Sequence, residues 1–223
     1  MKKLFISLTV AVTLCAVLVF NIITTSAAYQ LDSNINKIME SVEIAIKDNP
    51  ALGFSSNPYD FIVYNKDYKA IINQGSEVLP IIEEKINKSE KSGLKEYILA
   101  AAAEEISKVD LKGDNYGWRD GKGWAGVWDK HLKNLTKNID NIISSNDSTE
   151  IKIKKLTKLG TPAIPFIMDK IEQGNTELEP VLENLLSGNS KVSFDKNSTK
   201  DIKVWINSNK DKFSDLRDLV SKR

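Results

Sequence analysis

Two stretches of this chain place a proline inside what otherwise reads as an amphipathic helix. "IINQGSEVLPIIEEKI" (71–86) and "LTKLGTPAIPFIMDKI" (156–171) align at an offset of 85 residues. Gly75 matches Gly160 and Pro80 matches Pro165, while Ile82, Lys85 and Ile86 match Ile167, Lys170 and Ile171. A proline in a helix interior deletes a hydrogen bond and clashes with the preceding turn, so a repeated one marks a helix start. Glycine closes the preceding helix by accepting a left-handed conformation. Ser76 and Thr161 are then expected to cap the next helix, which puts Pro162 first and Pro80 and Pro165 each fourth. The pattern predicts a tight helix–turn–helix made twice.

Helical spacing dominates the rest of the chain, and no segment alternates apolar and polar residues for long. Ile35, Ile38, Met39, Val42 and Ile46 stripe residues 32–47. "NPALGFSSNP" (49–58) breaks the pattern, and Asn57 is placed to cap a helix with Pro58 at its first position. A second helix follows each copy. Residues 93–109 put Leu94, Ile98, Ala101, Ala102, Ile106 and Val109 on one face, with four alanines that permit close approach. Residues 176–186 open on Thr176 and Glu179 as a capping box, with Pro180 again fourth. Paired-helix repeats run about 40–47 residues, so the offset holds two of them. Residues 123–158 supply the unit between, with Trp124, Trp128, Leu132, Leu135, Ile139 and Ile142 as its stripe. The tail, with Ile202, Trp205, Phe213, Leu216 and Leu219, reads as a terminal cap.

In the Gly-small-Pro-aliphatic opening and the helix that follows it, residues 66–109 and 149–187 resemble HEAT-like repeat proteins. The usual turn aspartate and the basic residue opening the second helix are not clear here, and the Trp-rich insertion is not typical. The resemblance implies an all-α, HEAT-like α-solenoid of stacked helix pairs offering a groove to a partner. It implies no reaction.

The first segment reads as a targeting signal. Lys2 and Lys3 precede an uncharged apolar run, and Ser26-Ala27-Ala28 provides a small-residue cleavage site. Residues 1–28 are therefore expected to be a signal peptide and 29–223 a single all-helical domain. The alternative is an uncleaved membrane anchor over residues 4–23. Removing 1–28 takes two lysines and no acid, leaving 29 basic against 30 acidic residues. That near-neutral balance argues against nucleic acid, whose affinity comes largely from phosphate neutralisation. It also removes Cys15, the single cysteine, leaving no disulfide and no thiol nucleophile. Of the 31 basic residues only Arg119, Arg217 and Arg223 are arginine.

Motifs that carry chemistry are scarce. The one histidine, His131, sits a turn from Trp128 and Leu135 and reads as a packing residue. No phosphate-binding loop, nucleophile elbow or zinc-protease helix is present, and no cofactor or metal is implied. The most unusual stretch is "VDLKGDNYGWRDGKGWAGVW" (109–128). It reads as a long inter-repeat loop, as a glycan or peptide site through exposed Tyr116, Trp118 and Trp124, or as a carboxylate site on Asp110, Asp114 and Asp120. The candidate ligand surface is Asp114, Tyr116, Trp118, Asp120 and Trp124. Burial of Trp118 and Trp124 would count against both loop-based sites. The recurring pairs Glu84-Lys85 and Asp169-Lys170 read as a solvated face or as repeated polar positions lining a groove.

The expectation is an exported, non-enzymatic binding or scaffold protein of the bacterial cell envelope, with a protein, a peptide or a cell-wall glycan as partner. Two alternatives stand beside it: an envelope glycan hydrolase or glycan binder using loop 110–128, and a membrane-tethered sensor domain. N-terminal sequencing of the exported protein should find Tyr29 as its first residue. Recovery of the intact N-terminus would favour the tether.

Overall fold

The computed structural model describes residues 26–55, 57–113, 117–188, 192, 194 and 201–223, and all regular structure among them is helical. The helices are α1 (26–48), α2 (Lys66–Gln74), α3 (Leu79–Lys88), α4 (Leu94–Ser107) and α5 (Gly121–Ser144). They continue as α6 (Thr149–Thr157), α7 (Ile164–Glu172), α8 (Glu179–Leu186), α9 (Ile202–Asn209) and α10 (Ser214–Ser221). The expected signal peptide lies almost wholly outside the described residues. From Ser26 onward α1 runs through the Ala28–Tyr29 junction, with Ala27 and Leu31 buried in the core. No helix among the described residues is long and apolar enough to cross a membrane.

Both copies of the repeated motif form, and they form alike. Gly75 has φ 79° and ψ −159°, and Gly160 has φ 76° and ψ −176°. This differs from the expected left-handed helical closure, because ψ is extended. The combination is essentially restricted to glycine. A 3-10 turn follows each glycine before the α-helix begins, at Gly75–Val78 and Thr161–Ala163. Neither Ser76 nor Thr161 caps with its side chain, since the opening turn satisfies its own N–H groups through closer backbone bonds. Pro80 and Pro165 thus become the second residues of α3 and α7, where a missing N–H costs little. Pro180 opens α8 in the same way after the 3-10 turn Thr176–Leu178, and the expected Thr176–Glu179 capping box does not form.

Side-chain caps occur where a loop enters a helix directly. Asn65 Oδ1 accepts from Asp67 N at 2.9 Å and opens α2. Asp120 Oδ1 accepts from Gly123 N at 2.8 Å and opens α5. Asn57 caps as expected, although Pro58–Phe61 is only a 3-10 turn.

Helix α4 is the centre of the molecule. Ile98, Leu99, Ala100, Ala101, Ala102, Ala103 and Ile106 are all buried, so its apolar surface is not confined to one face. The four alanines let α2, α3, α5 and the second glycine turn approach from different sides. A helix buried all round is a core element. The 24-residue α5 lies beside it and buries Trp124, Trp128, Leu132, Leu135 and Ile139, as its spacing predicts. The Trp124 and Trp128 rings stack at 5.4 Å, and both indole N–H groups are buried without a partner. Burying roughly 200 Å² of ring contributes about 5 kcal/mol, more than the ~1–3 kcal/mol an unmade bond costs.

The two copies are in contact. Gly160 is seated on the end of α4, where an added Cβ would overlap Val109 Cγ2 and the Ser107 carbonyl oxygen. The tail does more than cover one end, because α10 touches both glycine turns as well as α5 and α7. Arg217 grips Asp169 with two bonds of 2.8 Å and donates to the Pro165 carbonyl at 2.9 Å. Arg223 pairs with Glu83 of α3 and, at 3.2 Å, with Asp129 of α5.

The glycines separate two costs of substitution. At Gly75 a Cβ meets nothing within 4 Å, so Gly75→Ala should lose only the backbone strain of about 1–3 kcal/mol. Gly160→Ala should lose clearly more in urea denaturation, because the Ser107 carbonyl is backbone and cannot rotate aside.

Candidate functional site

Residues 108–113 and 117–120, the returning segment, lie back along α4. Trp118 Nε1 donates to Glu104 Oε1 at 2.6 Å, Leu111 N donates to the same oxygen at 3.3 Å, and Lys112 Nζ donates to the Tyr97 hydroxyl. Gly121 then lies against Glu96 in the first turn of α4. α5 therefore starts beside the start of α4, and the long insertion is the connection that this requires.

That path settles where the sequence-derived site residues sit. Trp118 is only 4% exposed, with Lys112 lying over its ring, and Trp124 is fully buried, so neither ring presents an exposed face to a sugar or peptide. Asp120 serves as the cap of α5, and the Gly123 N–H bond holds its carboxyl below the usual range. Asp110 Oδ1 accepts from Lys112 N at 3.1 Å and Gly113 N at 2.9 Å, which folds its own turn. Asp114 and Tyr116 lie outside the described residues. The acid–lysine pairs that recur between copies are ties within the chain. Lys85 pairs with Asp32 and Lys170 with Asp140, at 2.7 and 2.8 Å, while Asp169 is held by Arg217.

A groove of about 560 Å³ opens elsewhere, between α5, α6 and the start of the returning segment. Its apolar floor includes Val109, Leu111, Val127 and Leu159. Asn134, Asn138 and Asn141 line it from α5, at steps of four and three residues. Those steps are rises of about 6 and 4.5 Å on one helix face. The Asn134 amide donates back to the Lys130 carbonyl at 2.8 Å, while the carboxamides of Asn138 and Asn141 have no hydrogen-bond partner among the described residues. Lys130, Lys155 and Lys158 also line the groove, and among the described residues no acidic side chain does. Lys155 reaches Asp147 at 2.6 Å and, with Ser145, holds that carboxyl below the usual range.

His131 also lines the groove. Its ring stacks on Trp128, with centroids 5.9 Å apart, and Nε2 lies 3.1 Å from the Leu159 carbonyl. A carbonyl only accepts, so Nε2 carries the proton in that bond. This is the packing role expected from its place beside Trp128 and Leu135. Among the described residues no three His, Cys, Asp or Glu side chains come close enough to share a metal ion. The groove lining presents carboxamides, lysine ammonium groups and apolar side chains.

No protein family, no curated protein and no solved structure matches this chain.

Sequence reasoning missed two features. The asparagines are ordinary residues in an Asn-rich chain, and only the open space beside them distinguishes them. Glu104 was passed over as one acid on a helix, yet burial raises its pKa above the ordinary value of 4.5 against the opposing bonds from Trp118 and Leu111. A carboxyl with a raised folded pKa favours folding most below its unfolded value and loses that contribution as pH rises through the folded value. Glu104→Gln keeps an acceptor for the Trp118 indole and removes the buried charge. It should have the higher urea midpoint at pH 7, and the difference should shrink as pH falls to 4. A gap independent of pH would contradict this account of Glu104.

Proposed function

We propose that this chain is a non-enzymatic binding protein of the bacterial cell envelope, with an extended, acidic polypeptide segment as ligand along the α5–α6 groove. The observation that carries this is the lining, which combines a row of carboxamides on α5 with three lysines and, among the described residues, no acid. A carboxamide offers one acceptor and a donor pair, the same complement as a peptide unit. An extended chain advances about 6.6–6.8 Å per two residues, close to the rise between Asn134 and Asn138. The apolar floor takes up side chains on one side of the strand, and the lysines favour acids on the other.

The architecture proposed for it is a short α-solenoid of HEAT-like helix pairs. Supporting this are the shared glycine conformation, the 3-10 entry to α3, α7 and α8, and the second-position proline of each. Export through a cleaved signal over residues 1–28 accompanies this reading. The burial of Trp118 and Trp124 weighs against the glycan readings of loop 110–128.

A titration against a fluorescent glutamate-rich peptide tests the groove. Two carboxamide contacts of ~0.5–1.5 kcal/mol each correspond to about five- to a hundredfold in affinity. Asn138→Ala/Asn141→Ala should weaken binding by that amount. Lys158→Glu should weaken it further at low salt than at high salt, since exposed charges are screened. Equal affinity of the double variant and the parent would exclude the groove, and a preference for an acidic glycan over the peptide would replace the ligand class.

A further inference from the structure

On the far side of the returning segment, Lys112 sits among three aromatic rings of the described residues. Its Nζ lies 4.0 Å from the centroid of the Trp118 ring, 4.5 Å from Tyr97 and 5.5 Å from Tyr59. The rings come from the returning segment, from α4 and from the 3-10 turn Pro58–Phe61. Tyr59 meets Tyr97 edge-on at 6.4 Å, and Tyr97 meets Trp118 at 4.7 Å. The bond to Glu104 holds the indole independently of Lys112, and Tyr97 packs on that indole. Tyr59 is 39% exposed, so the outermost of the three rings is at the surface.

We propose that the Tyr59–Tyr97–Trp118 cage is a binding site for a quaternary ammonium group, and that Lys112 fills it as a tethered competitor. One ring would serve to anchor a lysine, whereas three rings around one ammonium enclose a cation from several sides. The Lys112 ammonium is compact and strongly hydrated, and it has three donors to satisfy. The bond to the Tyr97 hydroxyl satisfies one of them. A quaternary ammonium has no N–H to satisfy and gives up little water, so the same rings hold it with less loss. The nearby carboxylate of Glu104 suits either cation. Lys112 is presented on a turn that Asp110 folds, so it competes at the effective concentration of a short tether, in the millimolar range.

The test uses the full chain, with choline as the probe and its uncharged carbon analogue, 3,3-dimethylbutanol, as control. The Trp118 indole N–H resonance reports on binding. Choline should shift that resonance in the parent at millimolar concentrations, and the alcohol should not. Lys112→Ala and Lys112→Gln should each bind choline about tenfold more tightly or better, and Tyr59→Leu should weaken choline in the Lys112→Ala background. Removal of Lys112 without a gain in choline affinity, or equal shifts from the alcohol, would overturn the proposal and leave Lys112 as a structural tie. If one Lys112 variant fails to fold, the other decides the competition, and the choline-versus-alcohol comparison in the parent decides the charge requirement.

Discussion

The second glycine turn can sit on the last turn of α4 only because residue 160 has no side chain. Its backbone closes over Val109 and the Ser107 carbonyl, in space a Cβ would occupy. That close approach joins the two repeated motifs and encloses the middle of α4, from Ile98 to Ala103. The four alanines of α4 are the other half of the same constraint, since larger side chains would hold the surrounding elements apart.

Enclosing α4 decides the course of the chain after it. To bring α5 in beside the start of α4, the chain must double back along a 14-residue helix, a span of about 21 Å. Lys108 begins the reversal in the left-handed region, with φ 56° and ψ 30°, which costs a non-glycine residue roughly 1–2 kcal/mol. Its ammonium recovers part of that by donating to the Asn184 and Ser187 carbonyls at the end of α8, at 3.2 and 2.6 Å. The returning segment then does two things at once. Val109 and Leu111 become a wall of the α5–α6 groove, and Lys112 enters the aromatic cage on the other side.

Much of the helical organisation was legible beforehand. The Trp124–Trp128–Leu132–Leu135–Ile139 stripe buried as its spacing required, because a long amphipathic helix has one apolar face to hide. The glycines and prolines also fell at helix starts. Capping was misread at Ser76, Thr161 and Thr176, since a 3-10 opening bonds its own backbone and leaves a hydroxyl nothing to do. The aromatic and acidic residues of the 109–128 stretch looked like a site because they are crowded in sequence. Folding dispersed them: Trp118 to Glu104, Trp124 to Trp128 and Asp120 to its own helix start.

Local chemistry was therefore sufficient for the placing of helices, for the apolar face of α5 and for the position of the two glycine–proline entries. These depend on spacings of three or four residues and on backbone angles that single residue types permit or forbid. The all-round burial of α4 and the extended ψ of the glycines came from packing. Which polar residues would face open space depended on packing. Asn138 and Asn141 stand beside a groove because α5, α6, Val109 and Leu111 leave space between them. Tyr59, Tyr97, Lys112 and Trp118 meet because α4 is retraced. Contacts between residues so far apart in sequence arise from the meeting of whole elements, and no pattern of residues within a single element encodes them.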